Sequence, residues 1–150
     1  MKFLLLFSIL LSYTNIYYTS TSFDLKTIKQ EENQYLFFKN LKEGDQLSIT
    51  YQSYGCFNQH SETLEFKYLD KTLTATLLSN DIKKSTIIKP TEIDYLIEFE
   101  TQLININNTK RGCTTVNSFT FKLNNDKSIV RKDDTCNWNG YKVLKEKFFK

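Results

Sequence analysis

The sequence predicts an α+β fold: an antiparallel β-sheet of about five or six strands in hairpins, with one central amphipathic helix and a C-terminal helix packed on it. Three observations predict it. Short segments alternate large apolar and polar residues with the two-residue period of half-buried strands. Two other segments carry helical spacing instead. Their order is strands, helix, strands, helix, without the regular strand–helix alternation of a doubly wound sheet.

The chain starts with Met1-Lys2, an apolar run from Phe3 to Leu11 broken only by Ser8, and the polar stretches "SYTN" and "TSTS". This is the layout of a secretory signal peptide over residues 1–22, cleaved between Thr14 and Ser22. An uncleaved N-terminal anchor is the alternative, although the run falls short of the roughly 20 apolar residues that span a bilayer. No cysteine lies nearby to accept lipid. Residues 23–34 have no clean period and read as a polar lead-in arm. Residues 35–150 form a single α+β domain.

In "QLSITY", Leu47, Ile49 and Tyr51 alternate with polar residues, and Gly44-Asp45 supplies the preceding turn. Leu64, Phe66 and Tyr68 in "TLEFKY" and Leu73, Ala75 and Leu77 in "TLTATL" repeat the pattern as a hairpin. A second hairpin joins "SFTFKL", with Phe119, Phe121 and Leu123, to Ile129-Val130. If Leu123 to Asp126 make its turn, Lys122 faces Lys127.

Between the hairpins, Ile93, Leu96, Ile97, Leu103 and Ile104 follow helical spacing, with Phe99 and Ile106 widening the stripe. Pro90 marks the edge, Thr91 with Asp94 approximates a capping box, and Asn107-Asn108 is the stop. Glu92, Asp94, Glu98 and Glu100 are placed on the polar side. In the last helix Trp138, Tyr141, Leu144 and Phe148 share a face as structural anchors, with Asn137 as cap.

The formal charge is +3, and signal removal deletes one lysine, so there is no electrostatic case for nucleic acid. Motifs for phosphate loops, serine hydrolases and zinc proteases are absent, and no cofactor is called for. The nine Tyr and twelve Phe accompany only one Pro and four Gly, a usage that AT-rich coding also produces, so aromatic richness alone implies no ligand stacking.

Chemistry concentrates in "GCFNQH", where Cys56 precedes the lone His60. After export, Cys56, Cys113 and Cys136 imply one disulfide with one thiol left over. The hairpin arithmetic places Cys113 opposite Cys136, and closing that loop stabilises by roughly 3 kcal/mol in the chain-entropy model. Cys56 is the alternative partner, since Gly precedes the cysteine in both "YGCF" and "RGCT". A catalytic Cys56 with His60 as base requires a third group to orient the imidazole, and no Asn or Asp is identifiable for it, so a surface histidine beside a structural or free cysteine is the expected reading. A metal site would lack paired ligands, so none is assigned.

"YKVLKEKFFK" is basic and aromatic, which suits either docking on the sheet or a membrane surface. Asn107-Asn108-Thr109 is a glycosylation sequon. Taken together, "YGCF", "RGCTT" and "CNWNGYKVLKEKFFK" resemble elements of small uncharacterised secreted bacterial proteins with Gly-Cys and Cys-x-Trp-Asn-Gly segments. The resemblance implies export and a single domain, and carries no activity.

These readings converge on an exported, disulfide-stapled binding or interaction module, inhibitor-like or an envelope accessory protein, secreted or periplasmic, with a protein partner. Two alternatives remain: a thiol-dependent enzyme using Cys56 and His60, and membrane-surface binding through the C-terminal helix.

Overall fold

A computed structural model of the chain describes residues 35–56, 59–106 and 114–150. The expected signal peptide, the lead-in arm, the Asn107 sequon and Cys113 lie outside the described residues. One compact unit spans Leu36–Lys150.

The fold is α+β. Its elements are α1 (Phe37–Asn40), β1 (Gln46–Gly55), β2 (Gln59–Leu69), β3 (Thr72–Ser79), β4 (Ile82–Ile88), a 3-10 turn (Pro90–Glu92), α2 (Ile93–Ile104), β5 (Thr115–Leu123), β6 (Lys127–Asp133) and α3 (Gly140–Phe148). The six strands form one antiparallel sheet in the order β4-β3-β2-β1-β5-β6. The first four make a meander. α2 then carries the chain back over the sheet, and β5 pairs with the free side of β1.

Alternation sets the register. Leu47 and Ile49 pair with Phe66 and Leu64 on one side and with Leu123 and Phe121 on the other. Leu47, Ile49, Leu64, Ala75, Phe119 and Phe121 are fully buried on this face, where Leu96, Phe99 and Leu103 of α2 join the core. A one-residue slip would turn the whole apolar set outward.

The turns use backbone conformations that the sequence permits. Asp70 and Lys71 connect β2 to β3 with φ of 51° and 58°, the pattern of a type I′ hairpin. The Glu43 carboxylate steadies that turn by accepting from the Lys71 amide at 3.1 Å. The last hairpin turns through three residues, so Leu123 faces Lys127 and Lys122 faces Ser128. This corrects the four-residue turn read from sequence. Asn124 and Asn125 tolerate the left-handed region, and Asn124 accepts from the Gln46 amide at 2.8 Å, tying the turn to β1.

Three further corrections apply to the sequence expectations. The hydrophobic pattern does not predict β4, because "IKKSTII" lies at an edge, where most of its residues are exposed and no alternation shows. The helix entry is closed by Lys89 and Glu92, whose carboxylate accepts from the Lys89 amide at 3.1 Å, and not by Thr91 with Asp94. Glu100 is on the buried face of α2, not its polar side. It accepts from the amides of Phe37 at 2.8 Å and Phe38 at 3.1 Å, and from Arg131 at 2.9 Å. That carboxylate holds the start of α1, and the Arg131 guanidinium lies 5.0 Å from the Phe121 ring centroid.

Candidate functional site

On the helix-covered face the apolar phase of β1 and β2 continues, but its composition changes. Tyr51 follows Leu47 and Ile49, and Glu62 and His60 occupy the positions in phase with Phe66 and Leu64. On β5 and β6 the same rows end in Asn117 opposite Asp133. Polar groups therefore gather under α3 at the end of the sheet where the β1–β2 hairpin turns.

Glu62 is the centre of the cluster and is 4% exposed. Lys145 of α3 donates to it at 2.6 Å, and His60 Nε2 lies 3.3 Å from its other oxygen. Burial pushes the Glu62 carboxyl up, but the Lys145 hydrogen bond and charge, with smaller help from Tyr141 and His60, outweigh it and hold the group below its ordinary value. Glu62 is thus ionised and already paired. Tyr141 stacks on Tyr51 with centroids 4.3 Å apart, and its hydroxyl is buried without a well-formed hydrogen bond. Burial and then the neighbouring Glu62 charge push the Tyr141 hydroxyl well above the usual tyrosine range.

A second chain of polar contacts runs along the β5 side. The Tyr51 hydroxyl donates to Asn117 at 3.1 Å, Asn117 donates to Asp133 at 3.3 Å, and Asp133 accepts from the Thr135 amide at 2.9 Å and hydroxyl at 2.6 Å. Asp133 thereby fixes the approach to α3. Between these chains and the first turns of α3 lies a cleft of about 230 Å³, walled by Tyr51, His60, Trp138, Asn139, Tyr141 and Lys142.

Trp138 precedes α3 rather than lying in it. Its indole N–H donates to Gln102 of α2 at 3.3 Å, and its ring meets Phe119 edge-on at 5.5 Å. Gly140 is required here because a Cβ at that position would run into the Trp138 ring. Of the other expected anchors, Tyr141 and Leu144 are buried, while Phe148 is only half-buried and the following Phe149 takes the buried place. The N-cap is Asn139, not Asn137, and its side chain makes no capping bond.

The structure places Cys56 and His60 in separate surroundings. Cys56 is exposed and free, which removes it as a disulfide partner. Among the described residues no hydrogen bond joins Cys56 to His60, whose imidazole turns to Glu62. The orienting group missing from the sequence reading is therefore present, as a glutamate two residues on. Cys136 is engaged rather than free, and its φ of 61° places it in the left-handed region. Among the described residues no group of His, Cys, Asp or Glu forms a metal cluster, and no helix is long and apolar enough to cross a membrane.

Sequence reasoning misses Glu62, Lys145, Tyr51 and Asn117 as site residues. A signal for Glu62 exists: an acid at the apolar phase of β2, two residues before Leu64. Comparison with known proteins finds no matching family model, no matching curated protein and no matching solved structure.

Proposed function

We propose that the chain is an exported, single-domain binding module, stapled by a Cys113–Cys136 disulfide, that takes its ligand in the cleft beside α3. The observation that carries this reading is the pairing of His60 with a buried Glu62 that Lys145 also holds. A cleft built this way has fixed polar and aromatic walls, and one nitrogen of its imidazole, Nε2, is paired with a buried carboxylate. Fixed walls favour recognition, because little ordering cost remains when a ligand enters.

Export rests on the N-terminal sequence pattern, residues 1–22. The disulfide rests on arithmetic: of three cysteines, Cys56 is free and Cys136 is engaged. An inhibitor-like or envelope accessory role fits the same cleft if the ligand is a group carried by a larger partner. Membrane-surface binding gains no support, since Tyr141 and Leu144 of α3 are buried within the fold.

The test is amide NMR of the protein purified from its exported fraction, titrated with a library of small polar and aromatic compounds. The reading predicts shifts concentrated at Tyr51, His60, Asn117 and Tyr141. Turnover of a thiol-enzyme substrate that is lost in Cys56→Ser would instead establish the enzyme alternative.

A further inference from the structure

We infer that two copies of the chain pair edge to edge through β4, antiparallel and centred on Ser85, so that their two six-stranded sheets become one. β3 separates this edge from β2, the nearest strand that lines the cleft beside α3.

β4 ends the sheet, so only one of its sides meets β3. The two-residue turn Asn80-Asp81 makes Ser79 and Ile82 the closing pair, which exchanges both of its backbone bonds. Alternation then aims the N–H and C=O groups of Ile82, Lys84, Thr86 and Ile88 at β3, and those of Lys83, Ser85 and Ile87 outward. Among the described residues the outward groups have no partner. The strand carries neither proline nor a left-handed residue to bend it away from a neighbour.

Paired residues share a pleat, so a two-fold pairing of β4 with itself sets one residue opposite its own copy. With Ser85 in that place, Lys83 faces Ile87 of the second copy, Lys84 faces Thr86 and Ile82 faces Ile88. The whole strand pairs, and every outward N–H and C=O group gains a partner. Moving the axis to Lys83 or Lys84 opposes lysine to lysine. Moving it to Thr86 sets Lys83 against Lys89, and moving it further leaves Lys83 outside the overlap. Lysines that protect an edge against other registers therefore select this one.

The same register covers exposed apolar surface. Ile82 and Ile87 are 55% and 64% exposed. Ile82 packs against Ile88 of the second copy, and Ile87 lies beside the stem of its Lys83. The opposite edge, β6, exposes one large apolar side chain, Val130, and its Lys132 is already engaged. The two Lys84 side chains become diagonal neighbours, so salt strengthens the association.

Sedimentation equilibrium of the exported protein, over about a hundredfold range of concentration, tests the pairing. A reversible monomer–dimer equilibrium is expected, tightening at least about twofold between roughly 0.05 and 0.5 M NaCl. Ser85→Pro should abolish the dimer and leave the monomer folded, because the Ser85 N–H faces away from β3 and only its side-chain bond with Thr76 at 2.9 Å is lost. In a Cys56→Ser background, Ser85→Cys should give a covalent dimer under mild oxidant, since residues opposed in a hydrogen-bonded pair lie about 5.5 Å apart. Val130→Cys in the same background should not. These cross-linking variants decide the matter if the proline variant fails to fold. A monomer at every concentration overturns the inference. So does a dimer that survives Ser85→Pro, that salt dissociates, or that cross-links through Val130→Cys instead.

Discussion

Replacing Glu100 with alanine is the most demanding test of how the domain is held together. The side chain is fully buried and accepts from two backbone amides of α1 and from Arg131. Removing it takes away the carboxylate that the buried Arg131 guanidinium pairs with at 2.9 Å, and deleting one partner of a buried pair costs about 3–5 kcal/mol. The Phe37 and Phe38 amides also lose their acceptor, at about 1–3 kcal/mol for each buried donor left unsatisfied. Water reaching α1 after local opening would recover part of this, so a net loss of about 4 kcal/mol is expected. Against a typical domain stability of about 5–15 kcal/mol, that is a large fraction. Urea unfolding followed by Trp138 fluorescence and far-UV circular dichroism measures it, and the midpoint should fall by about 2–3 M. The double variant Glu100→Met with Arg131→Met should recover about 2 kcal/mol of the loss, because an apolar pair needs no desolvation of charge. A loss below about 1 kcal/mol in the single variant, or a double variant less stable than either single one, would refute the reasoning.

The Glu62–Lys145 pair makes stability depend on pH. Because the Glu62 carboxyl is held below its ordinary value of 4.5, its contribution is present above that pH and is lost as pH falls through the folded value. Glu62→Gln should therefore unfold about 1–2 kcal/mol more easily than wild type at neutral pH, with the two curves converging in acid, as urea melts at stepped pH will show. Gly140→Ala should destabilise by about 1–3 kcal/mol through collision with Trp138, with an altered tryptophan emission maximum as its signature. Non-reducing peptide mapping should recover Cys113 joined to Cys136 and Cys56 as a thiol labelled by alkylation without denaturant; a Cys56-containing bridge is the opposite result.

Strand existence is legible in the sequence wherever one face is dry. Leu47-Ile49, Leu64-Phe66 and Leu73-Ala75-Leu77 alternate because each second side chain meets α1, α2 or its neighbours in the core. The edge strand β4 is not legible, since exposure on both faces erases the alternation. The helix stripe is only partly legible for a related reason: spacing identifies Leu96, Phe99 and Leu103, but polarity misplaces Glu100, whose partners lie 31 and more residues away in sequence. Long-range pairing also hides the cleft. Lys145 and Glu62 are 83 residues apart, and nothing local to "YKVLKEKFFK" distinguishes Lys145 from Lys142 or Lys147. The turn length fails by one residue, because Asn124 and Asn125 can both take positive φ and close a three-residue loop.

The central claim is that His60 belongs to a ligand cleft with Glu62 and not to a reactive pair with Cys56. Since the chain contains one histidine, its imidazole resonances are assigned without ambiguity. They can be recorded before and after alkylation of Cys56, and again in Glu62→Gln. The account predicts that alkylation leaves them in place and that Glu62→Gln shifts them. Imidazole resonances that move on alkylation of Cys56 and ignore Glu62→Gln would contradict it.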